Sequence, residues 1–170
     1  MDFGCGGGID VILAARKVGK EGRVIGVDFA PQMIERAKKA VIDSGLQQWD
    51  IELRVADMGE SQLPGGCADV VISNCVINLC PEKDTVYEEV FRILKHGGRL
   101  AISDIVLIEN IDSQLQKRFQ STWPGCYGGA ILGLYPYNSL TLSLLSSIPF
   151  FSVIYLGIFN KVLDSQLSNC

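Results

Sequence analysis

Asp2-Phe3-Gly4-Cys5-Gly6-Gly7-Gly8 is the stretch that decides the fold. Glycines at 4, 6 and 8 let the backbone turn tightly and approach a ligand without Cβ clashes, and the helix expected to follow presents free N–H groups. Outward from this turn, strand and helix alternate. Val24-Ile25-Gly26-Val27 is a short apolar run of the kind buried on both faces of a sheet. Pro31 suits a first helical turn; Met33, Ile34, Ala37 and Val41 recur at helical spacing, and Gly45 is the expected stop. Ile51 to Val55 and Asp69-Val70-Val71-Ile72-Ser73 read as further strands. Thr85 and Glu88 have capping-box spacing ahead of a helix through Val86, Val90, Ile93 and Leu94, with Gly97-Gly98 as its end and His96 as a C-terminal cap. Leu100-Ala101-Ile102 is the next strand. Strands separated by helices imply right-handed crossovers, so the fold class is α/β: a doubly wound, mostly parallel sheet with helices on both faces. Such a turn normally follows a full, central strand. So little precedes Gly4 that the first strand is expected to be incomplete and the chain N-terminally truncated.

Composition narrows the function. The chain has 170 residues, 48% hydrophobic and 20% charged, which excludes a disordered or collagen-like protein. Fifteen basic against nineteen acidic residues give a net charge of -4, so a nucleic-acid surface is not expected. Six scattered cysteines do not make a secreted disulfide scaffold, and the opening Met1-Asp2-Phe3-Gly4 has no signal-peptide pattern. Reduced thiols in a cytosolic, monomeric protein are the expectation. Charge is uneven: fourteen of the fifteen Lys/Arg lie in residues 1–118, and Phe119 to Asn160 contains no charged residue.

Asp28 lies twenty residues beyond Gly8, at the end of the next strand, where a carboxylate can accept both hydroxyls of a ribose. A plain glycine turn with an ordinary loop acid is the bland alternative. A second constellation is Ile72-Ser73-Asn74-Cys75-Val76-Ile77-Asn78-Leu79, which ends a buried strand at its carboxyl edge, where open α/β sheets place ligands. A cysteine and two asparagines are costly there unless hydrogen-bonded or used. A third is Trp123-Pro124-Gly125-Cys126-Tyr127-Gly128-Gly129-Ala130, whose glycines free the backbone around Cys126. By composition alone, each of these cysteines is more often a small buried hydrophobe.

The GxGxG spacing with Asp2 ahead of it resembles S-adenosylmethionine-dependent methyltransferases; dinucleotide dehydrogenases fit the spacing less well. The resemblance implies S-adenosylmethionine as cofactor, held by Gly4, Gly6 and Gly8, with Asp2 at its methionine end, Asp28 at the ribose, Asp57 at the adenine amino group, and Asn74 alongside. The run Ile72 to Lys83, then Phe91-Arg92-Ile93-Leu94-Lys95-His96-Gly97-Gly98-Arg99-Leu100-Ala101-Ile102-Ser103-Asp104, and Cys126-Tyr127-Gly128-Gly129-Ala130 resemble arsenite methyltransferases. That likeness runs from Asp2 to about Ala130. It implies that Cys75 and Cys126 are the catalytic residues and hold As(III), a soft centre that prefers thiolates. The substrates would be arsenite and methylated arsenicals, free or as thiol conjugates, with a cellular thiol as reductant and arsenic detoxification as the outcome.

The chain also departs from that family, whose members have a further essential cysteine upstream of the glycine motif. Cys5, Cys67 and Cys80 are read as bystanders and Cys170 as a terminal thiol; Asp104 either lines the pocket or is solvated. The expected organisation is a cofactor-binding core over 1–118, a substrate-binding segment over 119–130 and an apolar tail over 131–170. The tail, uncharged from Leu140 to Phe159, is read as a membrane anchor, a non-native extension or a buried core segment, since about 20 apolar residues suffice to cross a bilayer. Two other functions stay open: methylation of a carbon or oxygen nucleophile of another small molecule, and an inactive, truncated metalloid-binding fragment.

Overall fold

The computed structural model describes residues 1–107 and 152–158. Cys126 and the 119–130 segment lie outside the described residues, as does most of the 131–170 tail. The elements run β1 (Asp2–Phe3), α1 (Ile9–Val18), β2 (Arg23–Asp28), α2 (Pro31–Asp43), β3 (Asp50–Val55), β4 (Ala68–Asn74), a single 3-10 turn (Ile77–Leu79), α3 (Lys83–Ile93), β5 (Leu94–Leu107) and β6 (Ser152–Ile158). The six strands form one sheet in the order β3-β2-β1-β4-β5-β6, and every pairing is parallel. The first strand is therefore central, as expected, with Asp2 paired to both Gly26 and Ile72.

Each face of the sheet has its own core. Val11 and Ala15 of α1 and Ile34 and Val41 of α2 pack with Val24, Cys5 and Leu46 on one side. On the other, Val86, Tyr87, Val90 and Ile93 of α3 pack with Phe3, Val27, Val71, Leu100 and Ile102. Val24 and Val27 fall on opposite faces because strand side chains alternate.

Helix α2 ends as its sequence predicts. Gly45 adopts φ 73°, its N–H donates to Ile42 O at 2.9 Å, and Leu46 N–H donates to Val41 O at 3.1 Å, the paired bonds of a Schellman turn. The ends of α3 depart from expectation. The helix begins at Lys83, so Thr85 lies within its first turn and its hydroxyl donates to Glu82 O at 2.7 Å rather than forming a capping box. It stops at Ile93, ahead of the glycines, because Leu94 turns extended, buries itself and pairs with Ala68. Gly97-Gly98 therefore belong to β5, and His96 is an exposed strand residue instead of a helix cap.

Within the tail, Ser152–Ile158 pairs alongside β5, Ala101 with Ser152 through Leu107 with Ile158. These seven residues are strand rather than part of a spanning helix, and no helix among the described residues is long and apolar enough to cross a membrane.

One polar network anchors α3. Glu89, buried among the α3 side chains, accepts from Ser61 N–H at 3.0 Å, from the Ser61 hydroxyl, and from Arg92 at 2.6 and 2.8 Å; Arg92 also donates to Leu63 O at 2.7 Å. Burial pushes the Glu89 carboxyl up, but the hydrogen bonds from Arg92 and Ser61 outweigh it and hold Glu89 below its ordinary value. Its stabilisation is thus present above the unfolded carboxylate range and lost as pH falls through the depressed folded value. Glu89→Gln is expected to destabilise the chain by about 1–3 kcal/mol at pH 7. Urea titrations of both proteins should show that gap closing as the pH is lowered.

Candidate active site

Strand order reverses beside β1: the chain steps outward through β2 and β3, then returns to the other side of β1 as β4. Open α/β sheets bind ligands in the crevice at the carboxyl ends of the strands flanking such a reversal. Both the glycine turn after β1 and the cysteine turn after β4 open there.

The two turns are fitted to each other. Gly4 has φ 73°, and a Cβ built on it would lie 2.3 Å from Val76 Cγ1. Only glycine satisfies both the left-handed backbone and that contact. Ser73 Oγ donates to Phe3 O at 3.0 Å, and the Gly4 and Cys5 N–H groups both donate to Val27 O, at 2.8 and 3.0 Å. Gly8 is the residue before α1, with φ 86°; a Cβ there would lie 3.0 Å from that of Ala37 on α2. Gly6 and Gly7 are different: a Cβ on either would meet nothing within 4 Å, so this part of the turn faces open space.

The acids expected at the cofactor stand at the ends of β1, β2 and β3. Asp2 is 2% exposed and its Oδ2 has no hydrogen-bond partner. Burial, reinforced by Asp10 and Asp28 and opposed by the terminal ammonium, pushes its carboxyl up to about 7. Asp28 is also buried, but both its oxygens are engaged: Oδ2 accepts from Gly6 N–H and Oδ1 from Ala30 N–H, each at 2.9 Å. It locks the glycine turn onto the end of β2, and a carboxylate's roughly four lone-pair sites leave further acceptor capacity for ribose hydroxyls. Asp57 is exposed beyond β3, with Oδ1 accepting from Gly59 N–H at 2.7 Å.

Asn74 ends β4, exposed, and its amide donates to Asp10 Oδ2 at 3.4 Å; both line an open cleft of about 200 Å³ with Ile72, Ser73, Ala101, Ile102 and Ser103. Cys75 follows, half-buried, at φ 55°; Gln62 is the other non-glycine residue with positive φ among the described residues. A left-handed cysteine costs about 1–2 kcal/mol and persists only when its surroundings enforce it. Here its N–H donates to Ser103 O at 2.7 Å.

The other thiols among the described residues are Cys5, Cys67 and Cys80. Cys5 is buried in the α1–α2 core, where desolvation pushes its thiol up to about 12. Cys67 and Cys80 are half-buried against the α3 core, and burial raises the Cys80 thiol. Asp104 is buried, which removes the solvated alternative. The residues missed by the sequence are Asp10 and Ser103. An acid in the first turn after Gly8 was a visible signal for the former, but a backbone carbonyl leaves none for the latter.

These features fit S-adenosylmethionine. An orphaned buried carboxylate oxygen answers a cationic or donor group, the open Gly6-Gly7 surface admits a ligand, and acids mark successive strand ends.

Comparison with known proteins agrees. Residues 1–144 match the model of a methyltransferase domain, and the chain belongs to that family. Within it, the chain is 41% identical over 130 residues to an arsenite methyltransferase of Halobacterium salinarum, covering 76% of this chain and 32% of that protein. It is 29% identical to the arsenite methyltransferase of Mus musculus, over all of this chain and 47% of that one. The crystal structure of an arsenic (III) S-adenosylmethionine methyltransferase from Chlamydomonas reinhardtii superposes with a TM-score of 0.70 at 30% identity, over 84% of this chain and 48% of the other. The chain thus spans between about a third and a half of the length of these relatives.

Two outcomes follow. Gly4→Ala should destabilise the fold by about 3 kcal/mol or more through overpacking and φ strain, and adding Val76→Ala should restore part of that loss. Chemical denaturation of the two single variants and the double would measure the coupling. Because the folded Asp2 value lies above the unfolded one, its favourable contribution is present below about pH 4 and lost as pH rises through about 7. Asp2→Asn should therefore match the parent at pH 4 and exceed it by roughly 2–4 kcal/mol at pH 8, read from unfolding midpoints.

Proposed function

We propose that this chain transfers a methyl group from S-adenosylmethionine to trivalent arsenic held by Cys75 and Cys126. The observation that supports the reading most is the fit of the thiol-bearing turn against the glycine turn: Val76, next to Cys75, touches Gly4 at the crevice where the strand order reverses. Relatives named for arsenite methylation share this stretch of chain.

In this reading the glycine turn and Asp28 position the nucleoside, while Asp2 stabilises the cationic methionine end. Cys75 and Cys126 bind As(III) as thiolates, releasing their protons on binding, and leave the arsenic lone pair free. The cofactor supplies an electrophilic methyl on a sulfonium. Transfer would form an As–C bond from the arsenic lone pair at the expense of the cofactor's S–CH3 bond, whose electron pair would stay on sulfur. Arsenic is formally oxidised by two electrons, and a cellular thiol reductant returns it to the trivalent state. No general acid or base is required, so the rate rests on positioning. Arsenite, methylated arsenicals and their thiol conjugates are the substrate class. The reading places the chain in the cytosol, as a monomer with no nucleic-acid partner.

The test is to incubate the chain with arsenite, S-adenosylmethionine and a thiol and to speciate arsenic by chromatography with mass detection. The parent should yield methylated arsenic, and Cys75→Ser and Cys126→Ser should each lower turnover at least about 100-fold while binding the cofactor like the parent in calorimetry. Undiminished turnover in both variants would reject the ligand assignment. Methylation of a carbon or oxygen nucleophile instead of arsenic, or arsenite binding without cofactor binding, would reject the reaction.

A further inference from the structure

We propose that Asp104 is a positioning residue for the Cys75 thiol: its carboxylate and the adjacent Ser103 carbonyl together pin the Cys75–Cys80 turn to β5. The role deepens the reading of Cys75 as an arsenic ligand and rests on it.

The turn is held from two sides. On the β5 side, consecutive residues receive its amides: Cys75 N–H donates to Ser103 O at 2.7 Å, and Asn78 N–H donates to Asp104 Oδ2 at 3.1 Å. On the α3 side, the Lys83 ammonium donates to Asn78 O at 3.3 Å and to Cys80 O at 2.9 Å. The short 3-10 turn closes between them, with Leu79 N–H on Val76 O and Cys80 N–H on Ile77 O.

Asp104 is 6% exposed and Asn78 5%, and Ile102 and Ile77 nearby are core residues. A carboxylate in such surroundings is expensive unless its hydrogen bonds compensate. A neutral acceptor would satisfy one amide equally well in number, but a charged one bonds about twice as strongly. That strength is needed here, because the turn begins with a non-glycine residue in the left-handed region. Lys83 is the complementary element. Burial lowers its ammonium, while Cys80 and Asp104 act to raise it, so the turn lies between opposite charges. Released at Asn78, the turn would keep the Ser103 bond but lose the constraint that fixes where the Cys75 side chain leaves the backbone.

The experiment uses the full chain with Asp104→Leu, Asp104→Asn and Lys83→Met. Alkylation of Cys75 by iodoacetamide is followed by peptide mass spectrometry, with Cys67 in the same molecules as the control for general unfolding. Asp104→Leu should change the Cys75 rate by about fivefold or more, while Asp104→Asn, whose amide oxygen still accepts from Asn78 but without the charge, should shift it in the same sense by less. Cys67 should react alike in all of them. Lys83→Met should shift Cys75 in the same sense as Asp104→Leu, and this decides the matter if Asp104→Leu does not fold. An unchanged Cys75 rate in a folded Asp104→Leu, or in Lys83→Met, would overturn the proposal. So would parallel changes at Cys75 and Cys67, which denote a role in the fold alone. In arsenite turnover, Asp104→Leu should lose about tenfold in kcat with cofactor affinity within about twofold of the parent. A parent without arsenite turnover would reject the arsenic reading, while the alkylation rates would still decide the positioning role.

Discussion

The contact between Gly4 and Val76 governs this structure. A parallel sheet that reverses its strand order must bring two turns together at the reversal, and here the atoms leave no room for even one methyl group. The bonds around it follow from that closeness. Ser73 reaches across to the Phe3 carbonyl, and Gly4 and Cys5 share the carbonyl of Val27. One turn is glycine-lined and faces open space, and the other carries Cys75, so the fit sets both turns on strand ends. Sites built on such rigid elements hold their geometry better than sites on free loops.

The same crevice is where the chain is least comfortable. Asp2 is buried with an unpartnered oxygen near Asp10 and Asp28, and Cys75 occupies a backbone region that side chains avoid. Neither feature stabilises the fold by itself. Local rules broken together at one place, while the two hydrophobic cores obey them, is the pattern expected of a working site. Glu89 makes the contrast, since a buried carboxylate away from the crevice is fully hydrogen-bonded.

Much of this was legible in the residues. Val24–Val27, the Pro31 helix, Ile51–Val55 and Asp69–Ser73 are apolar runs or periodic segments whose burial needs little tertiary information, and each formed close to its expected bounds. The α3–β5 junction was not, because Gly97-Gly98 looked like a stop while the stop depends on Leu94 meeting Ala68 across the sheet. The strand-end acids were visible by spacing. That Asp28 already holds Gly6 and Ala30 was not, since backbone donors have no signature in sequence. Asp104 shows the same limit: its partner is an amide twenty-six positions earlier. The ligand role proposed for Cys75 rests on family likeness rather than on periodicity, and Cys126 lies outside the described residues.

The position of Phe3 has a mechanical consequence. Strands β2–β3 lie to one side of β1 and β4–β5 to the other. Phe3, paired with Val27 and Ser73 across the two ladders and fully buried in the α3 core, is the rivet between them. The crevice opens at the carboxyl end of that same line, so a ligand touching both turns would act as a suture across it.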